Sequence, residues 1–397
     1  MRFLRTTDIQ DDGRLRPDDD GVFVPERLVT NYILKCGDLL FSRSGTLGRG
    51  YLHMESSAPF AFAGYLVRFR PKYDHDPRYL FYASRSTSFL NQINADAIQS
   101  TIGNFNAEKY GNIRVWVPPF EQQRAIADFL DRKTAAIDAL IDKKRKLLDL
   151  LAEKRAALIN HAVTKGLNPD APMKGSGIPW IGEIPTHWAV APLNSRYSVQ
   201  LGKMLDSSKV TGTRLAPYLR NADVHWDRIN TTDLPQMDFS ASDRKKFELR
   251  AGDILMCEGG ANQKVVGRSA IWSGSLAECY YQKALHRIRL TRSEASHEQP
   301  RFLLFAIQAA SDVGLFVADS NANIFHLPAE RLRILRFPFP PPDEQKRIVR
   351  ELDRALASSR AAEGTIGDQI ERLHEYRQAL ITAAVTGQLD VTNEAAA

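Results

Sequence analysis

The sequence predicts an α+β protein. Two similar mixed α/β modules are separated by two long antiparallel coiled-coil helices, and the whole is an internal repeat with pseudo-twofold symmetry. Three observations predict it. First, the chain repeats itself: Gln123-Arg124-Ala125-Ile126 matches Gln345-Lys346-Arg347-Ile348, and Ala162-Val163-Thr164 matches Ala384-Val385-Thr386 at the same offset, with no gap between. A period as long as half the chain belongs to a domain-plus-helix unit used twice, not to a solenoid. Second, each copy holds a long stretch almost free of helix breakers, with apolar residues at alternating spacings of four and three. Third, the segments before those stretches carry short alternating runs punctuated by Gly, Asn and Asp, as half-buried strands do.

Residues 1–117 form the first module. Leu66–Arg70 and Ile113–Val117 alternate like strands. Pro118-Pro119 stops the second run, and residues 118–165 are the first spacer helix, helical from Glu121 to about His161. Residues 166–192 are dense in Gly and Pro and are expected to be a linker. Residues 193–338 form the second module, with strands at Ala270–Trp272 and Leu285–Leu290 and a short helix at Phe302–Ala310. Residues 339–389 hold the second spacer helix, from Asp343 to about Val385, and 390–397 are a tail. The modules also match weakly: Phe3–Ile9 against Tyr218–Val224, and Gly37-Asp38-Leu39-Leu40 against Gly252-Asp253-Ile254-Leu255. These two pairs share one offset, slightly shorter than that of the helices. The framework repeats while the loops diverge, as expected of two recognition modules with different targets.

The seam of the first helix reads Leu130, Ile137, Ile141, Leu148, Leu151 and Leu158, with Thr134, Lys144 and Arg155 at polar positions. The second reads Leu352, Leu356, Ile366, Ile370, Leu373 and Leu380, with Ser359, Glu363 and Arg377. Asp131–His161 alone spans roughly 45 Å at ~1.5 Å per residue. Arg155 and Arg377 interrupt the seam at equivalent places and are expected to turn their charges out to solvent. Gly364 and Gly367 weaken the second helix by ~1 kcal/mol each relative to Ala. The basic run Lys143–Lys146 reads as a solvated helix face.

Composition narrows the function. An apolar fraction of 43% with 25% charged residues excludes a mainly disordered chain. A formal charge of +6 suits an anionic partner and equally an ordinary basic surface. Cys36, Cys257 and Cys279 are scattered, with no zinc spacing, and no metal site is expected. No apolar run approaches the ~20 residues of a membrane helix. A cytoplasmic protein that does not engage a membrane is the expectation. No nucleophile elbow, HExxH or Walker A loop occurs. Gly45-Thr46-Leu47-Gly48-Arg49-Gly50 lacks the Lys-Ser/Thr ending and the helix of a phosphate loop.

A binding module is what remains. Side chains that read base edges and phosphates cluster in the divergent loops. In the first module these are Arg43, Ser44, Thr46, Gln99, Ser100, Thr101, Asn104 and Asn106; in the second, Asn262, Gln263, Lys264, Arg268, Asn321, Asn323 and His326.

The chain resembles the specificity subunit of type I restriction-modification systems. The resemblance rests on Pro118-Pro119…Gln123…Ile126…Leu130-Asp131 and Pro340-Pro341…Gln345…Ile348…Leu352-Asp353, on the Ala-Val-Thr helix ends, and on the phrase Gly177–Trp188. It implies two target recognition domains, each reading one half of a bipartite double-stranded DNA sequence, with the helices setting the unread spacer. It implies two DNA adenine methyltransferase (modification) subunits and restriction/translocase subunits as partners. Such a subunit is no enzyme and binds no cofactor; S-adenosylmethionine, ATP and magnesium belong to the partners. One departure stands out. Residues 177–217 precede Tyr218, but only Met1 and Arg2 precede its counterpart Phe3. Either the start of the chain is truncated or misassigned, or the first module is trimmed; on each reading the module is short at its N-terminus and could lack a strand or helix that its twin possesses. The alternative to DNA recognition is a coiled-coil adaptor joining two proteins.

Overall fold

The computed structural model describes all residues except 18, 20, 55–58, 99–103, 205–210, 261, 292–297, 318–324 and 392–397, and the side chains of 97 and 98. It divides into two compact units, one of Met1–Leu147 with Gly364–Ala397, the other of Leu148–Glu363. Eight α-helices are described: α1 (Pro77–Ser84), α2 (Thr87–Ile98), α3 (Ala107–Gly111), α4 (Phe120–Lys165), α5 (Ala241–Phe247), α6 (Pro300–Asp312), α7 (Ala329–Ile334) and α8 (Pro342–Val385). The long helices α4 and α8 pass from one unit into the other, so each unit owns a part of both. α8 runs without interruption through Gly364 and Gly367.

Among its described residues, unit 1 has two small sheets. Arg2–Leu4 lies antiparallel to Val22–Phe23 and parallel to Phe60–Phe62. Leu39–Ser42 sits between Gly50–Leu52 and Leu66–Phe69, all antiparallel. Unit 2 repeats the pattern. Leu215–Leu219 lies antiparallel to Gln236–Asp238 and parallel to Tyr280–Tyr281. Ile254–Cys257 sits between Ser269–Ile271 and Leu285–Leu290, and Tyr197–Leu201 adds a fourth strand beyond Leu285–Leu290.

The repeated residues are the joints of this frame. Gly37 and Gly252 sit at φ +89° and +93°, a left-handed turn that a Cβ disfavours. The next residue, Asp38 or Asp253, is buried. It accepts two 2.6 Å bonds from the guanidinium of Arg70 or Arg289, and one from the backbone N–H of Lys35 or Arg250. Arg5–Asp8 and Arg220–Asp223 close the other sheet in the same way. Burial pushes the Asp8 carboxyl up, but the bonds from Arg5 outweigh it and hold the group below its usual range.

The Pro-Pro…Gln…Leu-Asp motif docks each long helix on its module. Gln123, buried, donates to the Pro118 carbonyl at 2.8 Å and accepts from the Asp76 N–H at 3.0 Å, at the start of α1. Gln345 does the same with Pro340 at 2.9 Å and Gln299 at 2.9 Å, at the start of α6. Arg78 on α1 then reaches Asp131 at 2.9 Å, and Arg301 on α6 reaches Asp353 at 2.8 Å.

The helices pack antiparallel within each unit. In unit 1, Ile126, Leu130, Ile137 and Ile141 of α4 meet Ile381, Ala384 and Val385 of α8 over Tyr79 and Tyr82 of α1. In unit 2, Ile159, Ala162 and Val163 of α4 meet Ile348, Leu352 and Leu356 of α8 over Phe302 and Phe305 of α6. Each buried Leu or Ile contributes about 1.5–3 kcal/mol, more than a partly exposed ion pair, so apolar contact holds the helices together.

Four expectations are corrected. Leu158, placed in the seam, is 39% exposed, while Ile159 is fully buried. A straight α-helix drifts by ~20° per heptad against a seven-residue repeat. Leu158 lies four heptads beyond Leu130, so the accumulated drift moves the buried face forward by about one residue. Leu380 remains buried, but Ile381 is buried more deeply. Arg155 and Arg377 do not turn out to solvent: Arg155 lies 3.3 Å from Glu363, and Arg377 lies 3.1 Å from Asp138. Residues 166–192 are not a bare linker: Met173–Gly175 pairs with Glu183–Pro185, Ala189–Pro192 pairs with Arg336–Phe339, and Ile181, Ile184 and Trp188 are buried in unit 2. Ile113–Val117 forms no strand. The remaining seam residues Leu148, Leu151, Ile370 and Leu373 are half-buried, and Ile366 is buried.

Candidate nucleic-acid interface

The strand Leu39–Ser42 delivers Arg43 to the surface, and a second loop returns beside it just before α3. The Phe105 N–H donates to the Arg43 carbonyl at 2.9 Å, and the Arg43 side chain donates through Nε to Asn104 Oδ1 at 3.0 Å. Phe105 is buried and anchors the loop from below; Arg43 and Asn104 are exposed. Arg43, Arg68, Asn106 and Phe62 line a shallow concavity of about 450 Å³.

Unit 2 builds the same joint with other side chains. Leu327 donates its N–H to the Glu258 carbonyl at 2.8 Å, and His326 Nε2 lies 2.8 Å from Glu258 Oε1. Glu258 follows Arg43 at the offset that relates the two sheets, and His326 follows Asn104 at the offset that relates the two long helices. The backbone joint repeats while its chemistry changes from guanidinium–amide to carboxylate–imidazole. Phe325–His326 is further pinned antiparallel to Gly259–Gly260. A Cβ on Gly259 would come within 2.5 Å of the Phe325 carbonyl oxygen, so this close approach requires glycine.

The other expected residues fall into four groups. Thr46, Gln263 and Lys264 are exposed on these loops, and Ser44 is half-buried, its carbonyl accepting from the Ser42 hydroxyl at 2.6 Å. Asn106 and Asn262 are exposed too, but each uses its side-chain oxygen as a cap: Asn106 accepts from the Lys109 N–H and Asn262 from the Lys264 N–H, both at 2.9 Å. Arg268 is turned inward. It is half-buried and donates to the Asn221 carbonyl at 2.8 Å, which corrects its place in the reading surface. Gln99, Ser100, Thr101, Asn321 and Asn323 lie outside the described residues. Sequence reasoning missed Glu258; applying the offset of the Gly-Asp turns to Arg43 would have found it.

Unit 1 carries a second charged cleft of about 670 Å³, where Arg14, Arg85 and Arg377 face Asp12, Asp138 and Asp142. Burial, together with the neighbouring Arg377, pushes Arg85 down to about 10. Arg14 is held by Asp12 at 2.5 Å and Arg377 by Asp138. The cations are largely matched by carboxylates, so the exposed loop around Arg43, whose side-chain partner is the neutral Asn104 amide, is the better anion-facing surface. Among the described residues, no helix is long and apolar enough to cross a membrane.

Residues 25–149 match the type I restriction modification DNA specificity domain. The chain is 22% identical over 381 residues to the EcoKI specificity subunit of Escherichia coli K12, covering 93% of this chain and 79% of that one. It is 22% identical over 379 residues to the StySPI specificity subunit of Salmonella potsdam, with the same coverage. Its fold is similar to a chain from a solved type I R-M system, with a TM-score of 0.68 at 18% identity over 98% of this chain and 92% of that one. It is also similar to the HsdS subunit of Thermoanaerobacter tengcongensis, with a TM-score of 0.50 at 17% identity over 98% and 90% of the two chains. Two modules on repeated frames, helices packed antiparallel within each unit and these matches make the chain similar to type I restriction-modification specificity subunits, with the DNA specificity domain itself matched over residues 25–149.

Proposed function

We propose that the chain is the non-catalytic reader of a type I restriction-modification complex, and that it recognises a bipartite DNA target. Unit 1 reads one half through the Arg43–Asn104 joint and unit 2 reads the other through Glu258–His326. The observation that carries this is the repeated joint with exchanged chemistry. The exposed group of the first joint is a guanidinium, which presents donors to guanine N7 and O6; that of the second is the His326 imidazole, held from below by the buried Glu258 carboxylate. Two half-sites of different sequence are the natural counterpart. The exposed Lys264 and neighbouring cations on the loops hold phosphates and set register.

Catalysis is assigned to other chains. Modification subunits, two in number, carry S-adenosylmethionine and methylate adenine; restriction subunits carry ATP and magnesium and cleave. The long helices fix the gap between the half-sites and offer their outer faces for docking.

The test is methylation mapping with the cognate modification subunit. Two short half-sites separated by a gap of fixed length are expected, with binding that falls steeply as salt rises. A single continuous site overturns the bipartite reading. Association with the modification subunit but no salt-dependent DNA binding points instead to the protein adaptor.

A further inference from the structure

The two modules fasten one β-turn to their helices in different ways. In unit 2, Val224–His225 pairs with Arg228–Ile229, and Asp227 sits in the turn between them. Its carboxylate lies between two guanidinium groups, accepting from Arg301 of α6 at 2.9 Å and from Arg360 of α8 at 2.5 Å. In unit 1, Ile9 bridges Leu15, and Asp12 occupies the turn at the offset that relates the two sheets. Its carboxylate accepts from Arg14 of the same turn instead, at 2.5 Å. The position equivalent to Arg360 is Asp138, so the sign of the helix charge is reversed as well.

Between that turn and the helices of unit 1 lies the charged cleft of about 670 Å³. Among the described residues, six arginines and four aspartates line it. Arg14 pairs with Asp12, Arg49 with Asp11, Arg377 with Asp138 at 3.1 Å and Arg145 with Asp142 at 3.5 Å. Arg16 and Arg85 are left over, with no carboxylate at ion-pair distance among the described residues. Arg85 donates to the Asp11 and Asp12 carbonyls, neutral acceptors that leave its charge uncompensated. Burial, and then the like charge of Arg377, disfavour its charged form. An anion beside these groups lowers that electrostatic cost. Exposed His374 lines the same cleft and adds a further donor. The concavity beside Arg43 shares none of these lining residues, so the two sites are separate.

We propose that this cleft binds a phosphate group, held by Arg16 and Arg85 with His374 at its rim. The anion does in unit 1 what the Asp227 carboxylate does in unit 2: it sets a negative charge between guanidinium groups and ties the turn to the helices. Guanidinium forks match phosphate oxygens two at a time, which suits arginine better than lysine to this task. A small phosphorylated molecule and a DNA backbone offer the same group. The cleft is more enclosed than the shallow concavity beside Arg43, which favours the small, free form.

The probe is pyrophosphate, titrated into the full chain by calorimetry in a chloride buffer of constant ionic strength. Saturable one-to-one binding with a Kd at or below about 1 mM is expected, together with a higher unfolding midpoint. Arg16→Ala, a change at an exposed side chain, weakens binding at least about tenfold. Arg85 also holds the turn, so the second variant is His374→Glu. It places a carboxylate in the cleft and removes no hydrogen bond or ion pair of the fold, so it abolishes binding while the midpoint without pyrophosphate is kept. A duplex identifies the source of the phosphate. Pyrophosphate that binds the chain–duplex complex as well as the free chain supports the site as one for a small molecule. Displacement of pyrophosphate by the duplex, with duplex binding weakened by His374→Glu, supports it as one for the DNA backbone. Absence of saturable binding overturns the proposal. Binding that neither substitution weakens does so too, because the ion then sits elsewhere.

Discussion

Arg377 of α8 and Asp138 of α4 face each other across the helix pair of unit 1, 3.1 Å apart and mostly buried. Arg155 and Glu363 do the same in unit 2 at 3.3 Å. The arginines are repeat equivalents, but their partners are not: the position equivalent to Glu363 is Ile141, and the one equivalent to Asp138 is Arg360. Each unit places its carboxylate one turn away from the other's choice. The ion pairs thus make the two helix junctions non-interchangeable and fix the antiparallel register, a role well attested for polar residues in apolar seams.

Removing one member of the better-buried pair leaves an uncompensated charge. Arg377→Leu is expected to cost about 3 kcal/mol, and the double change Arg377→Leu with Asp138→Leu to recover most of it. Arg155→Leu is expected to cost only about 1 kcal/mol, because that pair is roughly a third exposed. Urea unfolding of these variants, followed by probes placed in each unit, measures these costs. Equal costs for the two arginines would contradict the burial argument.

The joints at Arg43–Asn104 and Glu258–His326 are expected to govern one half-site each. Arg43→Ala should relax sequence preference in one half-site by about 1–3 kcal/mol per discriminated base and leave the other half-site untouched. His326→Ala should do the reverse, since His326 is the exposed side chain of the second joint. Methylation of a pool randomised in both half-sites reports both effects at once. A loss of methylation spread evenly over all sequences would show that these residues only support the loops.

Much of this organisation is legible from residue spacing, because a helix buried on one face must repeat near 3.6 residues and a duplicated frame must keep its joints. Long-range partners are what spacing conceals. Ile113–Val117 alternates like a strand, yet a strand needs a neighbour, and no described residue pairs with it, whereas its twin Arg336–Phe339 pairs with Ala189–Pro192. Residues 166–192 look like a linker by composition because Gly and Pro shape the turns around three buried anchors, Ile181, Ile184 and Trp188. Asn106 and Asn262 look like readers of bases, but the same side chains make helix caps. Arg268 looks free until the Asn221 carbonyl is brought beside it by the sheet.

Acid should weaken unit 2 through His286. This ring is fully buried on Leu285–Leu290 and hydrogen-bonds the Leu327 carbonyl at 2.8 Å. Burial pushes its pKa down to about 4 from an ordinary 6.5. Between those values the unfolded chain binds the proton and the folded one does not, so stability falls as pH drops from 6.5 towards 4. The full loss is on the order of 3 kcal/mol. His286→Gln is expected to flatten this slope in pH-dependent unfolding, though at some constant cost in packing. An unchanged slope would assign the acid sensitivity to other groups.

The helices as a spacer make the most direct prediction. Lys144 meets Gln369 at 2.7 Å in unit 1 and Arg155 meets Glu363 in unit 2, so the stretch between these contacts belongs to both helices at once. Insertions placed after Leu148 in α4 and before Ile366 in α8 extend the pair without touching either core. Four added residues in each helix lengthen it by about 6 Å, close to two base pairs at about 3.4 Å per pair. Seven added residues lengthen it by about 10.5 Å, close to three base pairs, and disturb the seam less, since seven residues fall only ~20° short of two turns. The methylated half-sites should therefore move apart by two and by three base pairs, with the seven-residue variant the more stable. Inserting into one helix alone breaks the register of the ion pairs and should destabilise the protein without lengthening the gap. If the gap stays constant in both double insertions, the helices do not measure it, and the distance between half-sites is set by the modification subunits.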